Sequence, residues 1–220
     1  MMTPEELIIL GKRYLEWLKE HKITVGLTAV LVVGLSLATM SYLNKKTQKY
    51  ETVWKNLGEL SLDTSIAEFQ EPKAREELLS RAVEAYKGML EGSSAKGAEP
   101  WVLFQLGNAQ YSSRKYDEAI TTYKEFLNKY SDHSLKPFVR QSLAYACEEK
   151  GHYDAALMYF QGNAPTDSHY LVSQEKWDTG RCYEKLGQKE EAKKAYTGAI
   201  NLAPESPWAK LAQYRLDSLE

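Results

Sequence analysis

Three stretches of this chain share one pattern: LFQLGNAQYSSRKYDEAITTYKEFLNKYS (103–131), RQSLAYACEEKGHYDAALMYF (140–160) and KWDTGRCYEKLGQKEEAKKAYTGAINLAP (176–204). Each has a small residue, a second small residue two positions on, a turn, an acidic residue with an Ala beside it, and then an aromatic side chain. The first small residues are Gly107, Ala144 and Gly180, which lie 37 and then 36 residues apart. Self-similarity at such a period indicates a repeat architecture.

The residue types in this pattern suit pairs of packed helices. A small residue where two helices cross allows their backbones to approach closely. An aromatic residue four positions after an Ala, such as Tyr123 after Ala119, lies on the same helix face and fills the neighbouring gap. We therefore predict an all-α fold built from paired helices.

The spacing and residue classes resemble those of tetratricopeptide repeats (TPRs), helix-turn-helix units of about 34 residues. The resemblance covers residues 100–204 and implies a TPR-type helical-repeat solenoid with three units over residues 99–205. Insertions between helices would absorb the additional residues of each period.

Partial units flank these three repeats. Residues 44–98 are predicted to hold a degenerate first unit, with Trp54 in its first helix and a second helix over residues 74–90. Residues 62–73 are expected to form a long connection, and the Gly/Ser/Pro-rich stretch 91–100 a mobile connector. Residues 206–220 are predicted to form a single helix that caps the last repeat.

One stretch does not suit a soluble domain. Residues 23–43, with Ile23 and Leu43 at its ends, carry no charge and are followed by Lys45 and Lys46. As a helix they span roughly 30 Å, the thickness of a bilayer's hydrocarbon core. A buried core helix and a cleaved signal peptide are the alternatives. The favoured interpretation is an uncleaved transmembrane helix, because the segment is apolar on all sides and some 22 residues precede it.

Residues 1–22 are predicted to form an amphipathic helix. Thr3, Pro4 and Glu6 have the types of an N-cap, a first helical position and a capping-box partner. Leu7, Leu10, Tyr14, Leu15 and Leu18 then recur at helical spacing. Two interpretations remain open: a helix lying on the membrane surface, or an extension of the membrane helix into water.

The membrane orientation is not decided by charge. Four basic residues lie within about 15 positions of each end of the apolar stretch, so the positive-inside rule is balanced. A short N-terminal tail before a long folded part is typical of a signal-anchor, which favours a C-terminal domain outside the cytoplasm.

Composition excludes some function classes. A formal net charge of -2 gives no basic face for nucleic acid. The 15 Tyr and 5 Trp against 5 Phe are expected on half-buried surfaces and grooves rather than in a deep core.

The sequence contains no phosphate-binding glycine loop, no GxSxG and no HExxH motif. The four His are scattered, so we expect no metal site, no cofactor and no enzymatic activity. Cys147 and Cys182 are interpreted as buried thiols, with an inter-repeat disulfide as the alternative if the domain lies outside the cytoplasm.

The TPR resemblance also implies a partner-binding groove lined by the first helix of each repeat. The positions that match the family pattern and are assigned to the groove are Trp101, Phe104, Asn108, Tyr111, Phe138, Gln141, Tyr145, Trp177 and Arg181. Asn108 matches one position of the family's carboxylate clamp, but Phe104, Gln141 and Trp177 replace its basic partners. A hydrophobic or extended protein segment is therefore the expected ligand.

The layout of a short tail, one membrane helix and about four TPR-like units resembles the YfgM-like proteins of bacterial inner membranes. That resemblance implies a single-pass inner-membrane protein with a periplasmic TPR domain that binds client or secretion-complex proteins. Two alternatives remain: a structural subunit of an envelope assembly or division complex, and a TPR adaptor that faces the cytoplasm.

Overall fold

The prediction of an all-α protein is confirmed. The computed structural model describes residues 3–92, 97–161 and 168–219, and within these ranges it contains ten α-helices, one short 3-10 helix and no strand. The helices are α1 Pro4–Glu20, α2 Lys22–Ile66, α3 Pro72–Glu91, α4 Glu99–Ser112, α5 Tyr116–Lys129, α6 Lys136–Glu149, α7 Tyr153–Phe160, α8 His169–Lys185, α9 Lys189–Leu202 and α10 Pro207–Ser218.

The chain divides into two compact units, one ending at Thr52 and the other beginning at Val53. The first unit holds α1 and the N-terminal part of α2. None of the side chains of α1 is buried, and among residues 23–43 all are exposed except Val25, which is half-buried. The apolar stretch therefore has no protein cover within the described part of the chain.

The second unit consists of helix hairpins. Helices α4 and α5, α6 and α7, and α8 and α9 pack as pairs, and α5 and α7 each contact the first helix of the following pair. The largest core cluster is formed by α4 to α8, with Phe126, Val139 and Leu143 fully buried. A second cluster lies between α2, α3 and α4 and includes Val83 and Val102.

In two of the three repeats, the small residue is a glycine that lies against the aromatic residue of the partner helix. A Cβ placed on Gly107 would be 2.3 Å from Cε1 of Tyr123, and one on Gly180 would be 2.4 Å from Cε1 of Tyr196. Both rings are fully buried. The first helix therefore accepts the ring directly against its backbone, as the sequence pattern predicts.

Tyrosine forms part of the deep core, which is a correction to the expectation from composition. The three largest fully buried side chains are Tyr86, Tyr123 and Tyr196. The hydroxyl of Tyr123 donates to Oδ1 of Asn108 at 2.8 Å, and that of Tyr196 to Oε2 of Glu184 at 2.8 Å. In these two hairpins the ring can be buried because its hydroxyl reaches a polar side chain on the first helix.

The turn inside each hairpin has one geometry. Arg114, Gly151 and Gly187 occupy the same repeat position and have φ of 59°, 75° and 73°. In each case the next residue donates its backbone N–H to the carbonyl five positions back, at 2.9 Å. This left-handed helix end returns the chain antiparallel after a short connection.

The predicted long connection over residues 62–73 is wrong. Helix α2 continues to Ile66, a 3-10 turn occupies Ala67–Phe69, and α3 already begins at Pro72. Proline occupies the first turn of α3, where its missing N–H costs nothing. The preceding Glu71 is extended, as proline requires of its neighbour.

The predicted connector over residues 91–100 is also too long. Glu91 is the last residue of α3, and Glu99 and Pro100 open α4. Residues 93–96 of this prediction lie outside the described residues. At the other end of the unit, Ser206 caps α10 by accepting from the N–H of Ala209 at 3.1 Å, and α10 packs on α8 and α9.

We expect Gly107→Ala to lower the free energy of unfolding by about 2 kcal/mol, because the added methyl group overlaps a buried ring that has no free space to enter. Gly88→Ala is the matched control, since that glycine lies on an exposed part of α3 with nothing within 4 Å of the new Cβ. The control should stabilise by about 0.5–1 kcal/mol through helix propensity. Urea unfolding followed by circular dichroism measures both, and equal effects of the two substitutions would contradict this packing.

Candidate functional site

The candidate site lies on the first helices of the three hairpins, α4, α6 and α8. Aligning the repeats on Gly107, Ala144 and Gly180 places the predicted groove residues at four equivalent positions per helix. All nine are exposed or half-buried, so none is lost to the core. They divide into two groups with different surroundings, an N-terminal aromatic half and a C-terminal polar half.

The aromatic half comprises the positions six and three residues before the small residue. Its members are Trp101, Phe104, Phe138, Gln141, Gln174 and Trp177. Trp101 is 39% exposed, with edge contacts to Trp54 at 6.3 Å and His133 at 6.4 Å between ring centroids. Phe138 is 58% exposed and has no ring partner among the described residues.

Two aromatic members are anchored more firmly. Phe104 lies 6.5 Å from the ring of Tyr123, and Trp177 lies 5.4 Å from the ring of Tyr196. Each is therefore held by the buried tyrosine of its own hairpin. The aromatic half thus combines two supported rings with the two more exposed ones, Trp101 and Phe138.

The polar half is a connected network between α6 and α8. The hydroxyl of Tyr145 donates to Oδ2 of Asp178 at 2.8 Å. The guanidinium of Arg181 donates to both carboxylate oxygens of Glu148, at 2.6 and 3.0 Å, and to Oδ1 of Asp178 at 2.8 Å. Gln174 adds a hydrogen bond of 3.1 Å to the Tyr145 oxygen.

Burial raises the pKa of the Asp178 carboxyl, although hydrogen bonds from Arg181 and Tyr145 oppose the shift. Burial likewise raises the pKa of Glu148, against the charge of Arg181. Two carboxylates therefore share one guanidinium in a site largely closed to water. Removal of that cation would leave two largely buried carboxylates without a partner.

The polar residues at the ends of the row are also engaged. Asn108 accepts from the buried Tyr123, as described above, and Glu184 accepts from the side chain of Arg215 on α10. Asn108, Tyr145 and Arg181, predicted as ligand contacts, therefore form hydrogen bonds within the protein.

The sequence prediction missed Asp178. It lies two residues before Gly180, and the equivalent positions hold Gln105 and Ser142, which are also polar. Gln105 donates to Oγ of Ser61 on α2 at 3.0 Å, much as Asp178 accepts from Tyr145 on α6. A polar residue at this position in every repeat was the signal that could have found it.

The cysteines have no role at this surface. Both are free and buried, so the alternative of an inter-repeat disulfide is wrong for this structure. Burial raises the pKa of the Cys182 thiol to about 12 and that of Cys147 above its ordinary value, so neither reacts readily as a thiolate. No group of three or more His, Cys, Asp or Glu within the described ranges could hold a metal ion.

We expect Arg181→Met to lower the free energy of unfolding by about 3 kcal/mol, because it leaves Asp178 and Glu148 without their cation. Lys194→Met is the matched control. Its partner Glu191 lies on an exposed face of α9, so that loss should stay below about 0.5 kcal/mol. Chemical denaturation gives both values, and a loss for Arg181→Met as small as that of the control would show that the network does not stabilise the repeats.

Comparison with known proteins is consistent with this architecture. Residues 15–220 match the family model of the tetratricopeptide repeat-like domain. No curated protein sequence matches the chain. A kinesin light chain of Podosopora anserina with nearly identical TPR-like repeats is 17% identical, with a TM-score of 0.57 over 74% of this chain and 84% of that chain.

Two further solved structures are similar to this chain. The double mutant of MamA RS-1 is 19% identical, with a TM-score of 0.50 over 73% of this chain and 88% of its own. PcrH from Pseudomonas aeruginosa is 20% identical, with a TM-score of 0.48 over 56% of this chain and 92% of its own. Identities this low describe the fold alone, whereas the family model covers nearly the whole sequence. The chain therefore belongs to the tetratricopeptide repeat-like domain family.

Proposed function

We propose that this protein is a membrane-anchored scaffold that binds other proteins through the aromatic half of its first helices. The observation that carries the proposal is the pair of exposed rings, Trp101 and Phe138, at equivalent positions of neighbouring repeats. Aromatic side chains are the residues most often found to dominate binding energy at protein interfaces. Rings at a regular interval suit an extended segment with apolar side chains, such as that of an unfolded or partly folded client.

The polar half limits what the ligand is. Arg181 already forms hydrogen bonds to Glu148 and Asp178 and lies 5.8 Å from the ring of Trp177. It is not free to hold a ligand carboxylate, and the other clamp positions are Phe104, Gln141 and Trp177. The ligand is therefore not held by a carboxylate clamp, and apolar contacts supply the affinity for it.

Residues 23–43 serve as the membrane anchor in this proposal. Helix α2 is the one helix among the described residues that is long and apolar enough to cross a membrane. None of the residues in its most apolar segment is buried. Such a large apolar surface is unfavourable in water, and the family match begins before it. The layout resemblance to YfgM-like proteins supports the bacterial inner membrane, with the repeats in the periplasm and clients drawn from protein secretion.

The binding surface is tested with the full chain in detergent micelles and a fluorescent, permanently unfolded probe, reduced and carboxymethylated α-lactalbumin. We expect Trp101→Ala and Phe138→Ala each to weaken binding roughly tenfold, as removal of an aromatic anchor does. Met158→Ala is the matched control, because Met158 is 57% exposed but lies on α7, a second helix.

Fluorescence anisotropy gives the affinities, and circular dichroism checks that every variant is folded. Unchanged binding by the two aromatic variants, or an equal loss for Met158→Ala, would refute the assignment of this surface.

The proposed orientation is tested by fusing alkaline phosphatase or β-galactosidase after residue 220 and expressing both fusions in a bacterial host. We expect alkaline phosphatase activity alone, because the proposal places residue 220 in the periplasm and the phosphatase folds only there. Val30→Arg with Val33→Arg is the control, since each charge costs about 2.5–3.5 kcal/mol at the centre of a membrane helix and should abolish the export. Activity of β-galactosidase alone would instead favour an adaptor that faces the cytoplasm.

A further inference from the structure

Helix α1 has an apolar face that no part of its own compact unit covers. The helix runs over Pro4–Glu20 and begins with a complete capping box, in which Thr3 and Glu6 exchange hydrogen bonds. At 100° per residue the large side chains on one half of its circumference are Leu7, Ile8, Leu10, Tyr14, Leu15, Trp17 and Leu18. Six of these are between 48% and 60% exposed.

The opposite half of α1 is charged but nearly neutral in sum. It carries Lys12, Arg13 and Lys19 together with Glu5, Glu6, Glu16 and Glu20. Within the described residues of α1, the only large apolar side chain on this half is Ile9. A helix so divided is stable where one side meets an apolar medium and the other meets water.

A single residue, His21, separates the end of α1 from the start of α2. At His21 the backbone leaves helical values, with φ of -105° and ψ of 19°, and Nδ1–H of its ring donates to the carbonyl of Trp17 at 3.0 Å. Lys22 then opens α2, and the uncharged stretch starts at Ile23. The interruption thus falls at the point where the chain would enter the membrane.

Amphipathic rings gather at this end of α1. Trp17 stacks on His21 with ring centroids 4.8 Å apart, and Tyr14 lies 6.2 Å from Trp17. Trp and Tyr are enriched at the level of the lipid headgroups, where an apolar ring and a polar edge are both satisfied. Lys19 and Lys22 have long stems that can reach outward from the same level.

We propose that α1 is an interfacial helix whose apolar face lies in the headgroup region of the membrane that holds residues 23–43. The inference rests on the membrane anchoring proposed above. Lipid is the occupant because only His21 and Lys22 separate α1 from the apolar stretch, so its apolar face starts at the bilayer surface. Its polar half holds three cations and four anions, so its attachment depends on apolar burial and not on anionic lipid.

The test uses the full chain in phosphatidylcholine vesicles, with one environment-sensitive nitrobenzoxadiazole label per chain. Leu10→Cys places the label on the apolar face of α1, Glu16→Cys places it on the polar face, and Val33→Cys places it within the apolar stretch. The unsubstituted chain measures background labelling of the two buried native cysteines. Iodide, which stays in water, is the quencher.

We expect iodide quenching to be lost at Leu10→Cys and Val33→Cys and retained at Glu16→Cys. The pattern should persist when vesicles contain phosphatidylglycerol and when the protein is diluted in lipid. Equal quenching at Leu10→Cys and Glu16→Cys, with Val33→Cys protected, would place α1 in water and overturn the inference alone. Quenching at Val33→Cys would overturn the anchoring itself, and with it the interfacial helix.

Two remaining outcomes also overturn the inference. Protection of both Leu10→Cys and Glu16→Cys would mean that α1 is surrounded on all sides by lipid or protein and does not lie at the interface. Protection of Leu10→Cys that disappears as the protein is diluted in lipid would mean that a second copy of the chain covers this face.

Discussion

The close approach of a tyrosine ring to a glycine backbone is the constraint on which the repeats depend. Tyr123 lies on Gly107 and Tyr196 lies on Gly180, at distances that no side chain on the first helix would permit. Because the ring crosses the first helix, its hydroxyl emerges on the far side and needs a polar partner there. Asn108 and Glu184 supply that partner. The packing of the buried tyrosines therefore requires a hydrogen-bond acceptor at two positions of the candidate binding surface.

The same constraint explains why that surface divides into two halves. Positions after the small residue accept the tyrosine hydroxyls and link α8 with α6 and α10, so their hydrogen-bonding capacity is largely used within the protein. Four of the six positions before it carry rings that pack on the hairpin without being fully buried. Ion pairs that hold repeats together are costly to break, whereas an exposed ring can exchange water for a ligand and gain apolar burial. If the aromatic half binds the ligand, as proposed, stability and binding depend on different ends of the same helices.

The sequence predicted the hairpins well because their determinants are local. Small residues, acidic residues and aromatic residues recur within one unit, and the predicted register of Gly107, Ala144 and Gly180 agrees with the contacts. The polar network escaped prediction because Tyr145 and Asp178 are 33 residues apart, and only the packing of α6 against α8 brings them together. The connection over residues 62–73 was predicted too long for a different reason: Pro72 begins α3, because proline is tolerated in the first turn of a helix.

Helix α2 has two different distributions of apolar residues along its length. Over residues 23–43 every side of the helix is apolar and almost every residue is exposed, whereas Val53 and Leu57, four residues apart, are the two buried residues of its later part. A helix that is apolar on all sides suits an apolar environment that surrounds it. A helix with a single apolar stripe suits a protein core on one side. Residues 44–52, NKKTQKYET, are polar except for Tyr50 and separate the two. If residues 23–43 span a membrane, as proposed above, this polar stretch lies where the chain would pass the headgroup region before it enters the folded unit.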